Sequence, residues 1–171
     1  MGYVHDTSMS LFIPPNLFHC VTGTWTLAAG QVAGTIVKKV NDANQTSTIN
    51  IPILLPSNSV ALKGSYLKSI EIDFEITGAA LTALTAVINK VTRGADGADA
   101  SVAAPAFTYD TGHDAANERV DVDEHKMTLT ITTPFWIDND EYVLVELTCD
   151  QAGDTGVIEL LGAVANYSLR V

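Results

Sequence analysis

The strongest constraint on the fold of this chain is a two-residue alternation of apolar and polar side chains that recurs along most of its length. It is clearest in Tyr66-Leu-Lys-Ser-Ile-Glu-Ile-Asp-Phe-Glu-Ile76. There Ile70, Ile72, Phe74 and Ile76 stand on one face, and Glu71, Asp73 and Glu75 on the other. Such a pattern scatters its apolar set around a helix but gathers it on one side of a strand.

The same period returns in four further segments. It places Ile49, Ile51, Ile53 and Leu55 on one face of residues 49–55, and Met127, Leu129 and Ile131 inward against Thr128, Thr130 and Thr132. It sets Val143, Val145, Leu147 and Cys149 on one face of 142–149, and the segment 157–171 ends with Tyr167, Leu169 and Val171 alternating against Ser168 and Arg170. Pro52 has no amide hydrogen to give a ladder, so its strand is expected at an edge or a bulge. Gln31 to Val40 is expected to hold a strand with Ile36 and Val40 on one face, and Phe107-Thr-Tyr109 a short one. Residues 79–92 fit either a helical face (Leu81, Leu84, Ile88, Val91) or a strand. Their β-branched content and their antiparallel neighbours favour a strand over 84–92. Polar turns such as Asp138-Asn-Asp140 and Gly94-Ala-Asp-Gly97 separate the runs. The expected fold is all-β: one antiparallel β-sandwich domain, jelly-roll-like, over residues 25–171.

Residues 1–24 do not read as a regular element and are expected to form an extended N-terminal arm. Pro14-Pro15 favours an extended path and excludes a helix interior. Leu11, Phe12, Ile13, Leu17 and Phe18 are too apolar for a free tail, so the arm needs a groove, on its own sandwich or on a neighbour. These residues, with Pro14 and Pro15, are candidate assembly contacts. Trp25, Phe135 and Trp136 join them as aromatic anchors. With a self-contained core after residue 31, removal of residues 1–22 is expected to leave a folded sandwich.

The 171 residues carry a net charge of −11 and only 17% charged side chains, against about 25% in an average soluble domain. A surface so poor in charge is expected to be covered by partners. The acidic balance argues against nucleic acid or anionic membrane as a partner, because both require clustered Lys and Arg. Lys38-Lys39 is the densest basic pair. No run of about 18 apolar residues offers a membrane helix. The N-terminal residues lack the basic and apolar regions of a secretory leader. Cys20 and Cys149 are therefore expected as reduced thiols, and the sequons at Asn44 and Asn166 as chance matches.

No constellation for catalysis is complete. Asp110, His113 and Asp114 could orient an imidazole or bind a metal, but no nucleophile accompanies them, and a solvated polar loop is expected. The acidic turns at Asp96/Asp99, Asp121/Asp123/Glu124 and Asp138/Asp140/Glu141 match no calcium-loop signature. No phosphate loop, dinucleotide fingerprint or zinc spacing occurs. The chain is expected to be no enzyme and to need no cofactor. The insertion 93–118 is long enough to be functional.

Four segments, Phe12-Ile-Pro-Pro-Asn16, Gly23-Thr-Trp-Thr26, Met127-Thr-Leu-Thr-Ile-Thr-Thr-Pro134 and Leu161-Gly-Ala-Val164, give the chain a style that resembles jelly-roll virion proteins of tailed phages: capsid decoration, head-fibre or tail-associated subunits. The resemblance implies a structural subunit, a homotrimer that also contacts other virion proteins, assembled in the host cytoplasm. It transfers no site residue. The alternative on the same sandwich is a carbohydrate-binding or adhesion module, for which Trp25 and Phe135-Trp136 are the candidate aromatics.

Overall fold

The computed structural model describes residues 5–28, 36–39, 45–58, 63–151 and 155–170. Its strands are β1 (Asp6–Ile13), β2 (His19–Thr22), β3 (Trp25–Ala28), β4 (Ile36–Lys39), β5 (Thr46–Ile53) and β6 (Gly64–Thr77). They continue with β7 (Ala83–Thr92), β8 (Ser101–Ala103), β9 (Phe107–Tyr109), β10 (Glu124–Trp136), β11 (Glu141–Asp150) and β12 (Val157–Arg170). One sheet has seven strands in the order β3-β4-β12-β6-β10-β9, with β1 also paired to β12; the other has five, β2-β5-β11-β7-β8. Every pairing is antiparallel.

Within the two sheets lies a jelly roll. Four strands, β1-β12-β6-β10, face four others, β5-β11-β7-β8. Along the chain, consecutive members of this set lie in opposite sheets except β7 and β8. β2 and β9 extend the edges beside β5 and β10. The β3–β4 hairpin meets β12 at Glu159 and Leu160, while β1 pairs with its far half, Ala163–Arg170.

The alternation read from the sequence sets the core. Ile49, Ile51 and Ile53 of β5, Val143, Val145 and Leu147 of β11, and Leu84 and Ile88 of β7 point inward. They meet Ile70, Ile72 and Phe74 of β6, Met127, Leu129 and Ile131 of β10, and Leu160, Ala163 and Ala165 of β12, all buried. Each large side chain so buried contributes about 1.5–3 kcal/mol. Residues 83–92 form a strand, as their β-branched content favours. Pro52 pairs with Leu144 on one side, and β2 stops at Asn50 on the other, so the proline sits past the end of the neighbouring strand. The expected strand over 31–40 is described only at Ile36–Lys39; the expected shared face of Ile36 and Val40 and the turn 41–44 fall outside the described residues.

Residues 6–24 differ from an irregular arm. They are extended, but Asp6–Ile13 is the first jelly-roll strand, in register with β12 from Asp6 opposite Arg170 to Ile13 opposite Ala163. A short 3-10 turn at Pro15–Leu17 then carries the chain across to β2, with Pro15 at its first position. Ile13, Pro15 and Phe18 are buried, and Ile13 and Phe18 belong to the core cluster. The groove for this segment is therefore on its own sandwich, and 24/25 is not a structural boundary. Thr7, Met9, Leu11 and Ile13 do alternate with Asp6, Ser8 and Ser10, but Phe12 breaks the pattern and Pro14-Pro15 follows at once, so the segment reads as an arm.

Candidate functional site

The two outer faces of the sandwich differ in chemistry. On the seven-stranded sheet the outward side chains form a polar lattice. Lys126 Nζ lies 2.7 Å from Glu71 Oε2, Asn166 Nδ2 donates to Glu71 Oε1 at 2.8 Å, and Ser10 Oγ donates to Asn166 Oδ1 at 2.6 Å. This chain crosses β10, β6, β12 and β1. At the end of the sheet Arg170 grips Asp6 with Nε at 2.6 Å and Nη2 at 2.8 Å. The hydrogen bond from Lys126, aided by Asn166, lowers the Glu71 carboxyl against partial burial; that from Arg170 lowers Asp6. Burial, opposed by Lys126 and reinforced by Glu71, raises Asp73.

The outer face of the five-stranded sheet is nearly uncharged. Its register sets Val102 beside Val91 and Val91 beside Tyr142. The next rows are Asn89–Leu144–Pro52 and Val87–Glu146–Asn50, and then Thr85–Thr148–Thr48. Through these rows Glu146 is the one formal charge. Val102 is 62% exposed and Tyr142 52%, with Val87 and the nearby Leu54 also open to solvent.

The nominated aromatics are largely occupied. Trp25 packs on the core, and its Nε1 donates to the Thr22 carbonyl at 2.9 Å. Phe135 packs on the core beneath Lys90, whose Nζ is 5.2 Å from the ring centre. Trp136 contacts the Tyr66 ring, 4.9 Å away, and the Arg170 guanidinium lies 4.8 Å from its ring centre. Of the arm residues, Phe12 and Leu17 are exposed, Leu11 and Pro14 half-buried, and Ile13, Pro15 and Phe18 buried. The structure thus does not gather the nominated residues into one surface.

Asp110 and His113 do come together, but with His125 rather than Asp114. Asp110 Oδ1 is 2.8 Å from His113 Nδ1 and accepts the Gly112 amide at 3.0 Å, while Oδ2 accepts the Thr128 amide at 2.5 Å. Burial opposes the Asp110 charge, but these donors outweigh it and hold the carboxyl below its ordinary value. His113 Nε2 lies 3.2 Å from His125 Nδ1, and His125 Nε2 lies 3.0 Å from the Asp121 carbonyl. His125 stacks on Phe74 with ring centres 4.7 Å apart. Arg119, buried over the Tyr109 ring, donates to the carbonyls of Leu84, His113 and Asp114. The loop is therefore built, not merely solvated as expected. His125 and Arg119 were not legible as its partners, because the His113–His125 contact depends on the register that sets His125 opposite Phe74. Asp114 contributes only its carbonyl to the contacts described here.

No group of three or more His, Cys, Asp or Glu side chains suited to a metal occurs among the described residues. Both cysteines are free thiols, Cys149 in the core and Cys20 exposed on β2. Among the described residues no helix is long and apolar enough to cross a membrane.

No family model matches the chain, and no curated protein matches it. Among solved structures, it is similar to a xylan-binding module of carbohydrate-binding family 15, with 12% identity over 95% of this chain and 97% of that one, and a TM-score of 0.45. It is also similar to a carbohydrate-binding module of family 29, with 9% identity over 94% of this chain and 89% of that one, and a TM-score of 0.43. At such identities and scores no residue role passes from these proteins to this chain.

Proposed function

We propose that the chain is a non-enzymatic structural subunit of a phage particle, which self-associates as a homotrimer and joins a capsid or tail lattice as a decoration or accessory protein. The carrying observation is the outer face of the five-stranded sheet. Val102 and Tyr142, on either side of the buried Val91, and Val87 lie open, with Leu144 and Pro52 half-buried in the next row and Glu146 the one formal charge within these rows. Covering such surface is worth about 25 cal/mol per Å² of apolar area, and extended apolar patches are a mark of interaction sites. Jelly rolls serve capsids and lectins alike, so the support rests on this face and not on the fold. Binding of the purified chain to particles or empty shells that lack it tests the reading. Co-sedimentation that is lost on Val102→Glu supports it; failure to bind, together with a monomeric mass, overturns it.

A second reading, glycan binding, is favoured by the polar outer face of the seven-stranded sheet. There Ser8, Ser10, Lys68 and Asn166 border a shallow cleft of about 230 Å³. It ranks below the first because Trp136 is already in contact with Tyr66 and Arg170. Retention on a glycan array that is lost on Asn166→Ala would reverse the order.

A further inference from the structure

We propose that the segment 110–124 is a pH-operated latch, closed when the His113–His125 pair carries a single extra proton. Three contacts run through the four ring nitrogens: Asp110 carboxylate to His113 Nδ1, His113 Nε2 to His125 Nδ1, and His125 Nε2 to the Asp121 carbonyl. A carboxylate and a carbonyl only accept, so the two outer contacts each need an N–H from the ring. The inner contact needs one proton between its two nitrogens. Three protons are required, and two neutral imidazoles carry two. The complete set therefore belongs to a pair with one positive charge. Removing that proton breaks one of the three bonds. Adding another sets two N–H groups of like charge against each other across 3.2 Å.

The surroundings suit a single positive charge. On the loop and the start of β10, the pair faces Asp110, Glu118, Asp121, Asp123 and Glu124. Asp73 of β6 and Lys126 of β10 line a shallow cleft together with His125. Arg119 is turned away toward three carbonyls and the Tyr109 ring. The Phe74 ring under His125 adds its negative face to the cationic form.

The latch holds a segment that bridges both sheets. The Ile76 amide donates to the Asp123 carbonyl, the Leu81 amide to that of Val120, and Arg119 to that of Leu84. Opening the histidine link frees the middle of this bridge while its ends stay tied, so the effect is local. This inference is independent of the assembly reading: a monomer would carry the same latch.

The test is nitrogen-resolved NMR of the two imidazoles, with amide exchange at Gly112, His113 and Thr128, over about pH 4 to 9. After correction for intrinsic exchange, protection is expected to peak within the range and fall on both sides. At the peak, three of the four ring nitrogens should bear protons. His125→Phe keeps a ring on Phe74 but removes the link. It should speed exchange at Gly112 and His113 on the order of tenfold, as for one hydrogen bond lost, and remove the peak. Two protonated nitrogens at maximal protection, protection independent of pH, or an unchanged profile in His125→Phe would each overturn the latch.

Discussion

Phe12 lies directly over Gly162, so that a β-carbon on the glycine would stand 2.6 Å from Phe12 Cε2 and 2.7 Å from Cζ. Gly162 has φ of 152°, at the bulge where β12 shifts register against β6. An alanine there meets both an unfavourable backbone and the ring of the first strand. Gly162→Ala is expected to cost about 1–3 kcal/mol in denaturant unfolding. Phe12→Ala in the same chain should recover only the steric part. A cost within error of zero would mean that β1 is not seated on β12 as described.

The first strand is expected to be needed for folding. Ile13 and Phe18 are in the core, and β1 completes the four-stranded face of the jelly roll. Deleting residues 1–22 should therefore yield an unfolded or insoluble chain, not the folded sandwich that the sequence suggested. Ile13→Ala should cost about 2–5 kcal/mol. Circular dichroism and solubility of the truncated chain decide this; a cooperative, strand-rich unfolding transition would contradict it.

Acid should weaken the fold through Asp110 and Glu141. Burial opposes the Glu141 charge, but the Asp138 amide, Lys90 and Thr92 hold its carboxyl low; Asp110 is held low as described above. A carboxyl depressed in the folded state contributes stability that is complete above its unfolded value, about 3.9 for Asp and 4.3 for Glu. That contribution is lost as pH falls through the lower folded value. Unfolding midpoints should thus drop below about pH 4, and the drop should be shallower in Asp110→Asn and Glu141→Gln. Midpoints that fall as steeply in both variants as in the natural chain would count against these carboxyls.

Asp73 should behave oppositely. Burial raises its carboxyl, so its ionised form is disfavoured in the folded chain. Asp73→Asn is expected to raise the thermal midpoint at neutral pH. A lowered midpoint would show that the attraction of Lys126 outweighs the burial.

Much of the sandwich was legible because period-2 alternation directly encodes which face is buried. Ile70 to Ile76, Met127 to Ile131 and Val143 to Cys149 all lie as their pattern requires. The first strand was passed over because Leu11-Phe12-Ile13 runs straight into Pro14-Pro15, which masks the alternation of Thr7, Met9, Leu11 and Ile13 against Asp6, Ser8 and Ser10. The loop network was partly legible: Asp110 and His113 are near in sequence, whereas His125 and Arg119 reach them only through sheet register and the turn at Asn117–Arg119. The apolar outer face was hidden for the same reason. Val102, Val91 and Tyr142 are brought into one row by pairing between three strands.

Self-association through that row is tested most directly by sedimentation equilibrium at micromolar concentration, comparing the natural chain with Val102→Glu and Tyr142→Glu. The natural chain should show the mass of a trimer, and each substitution should shift it toward the 18.2 kDa monomer without lowering the unfolding midpoint. A monomeric natural chain, or an oligomer indifferent to both substitutions, would contradict assembly through the five-stranded sheet.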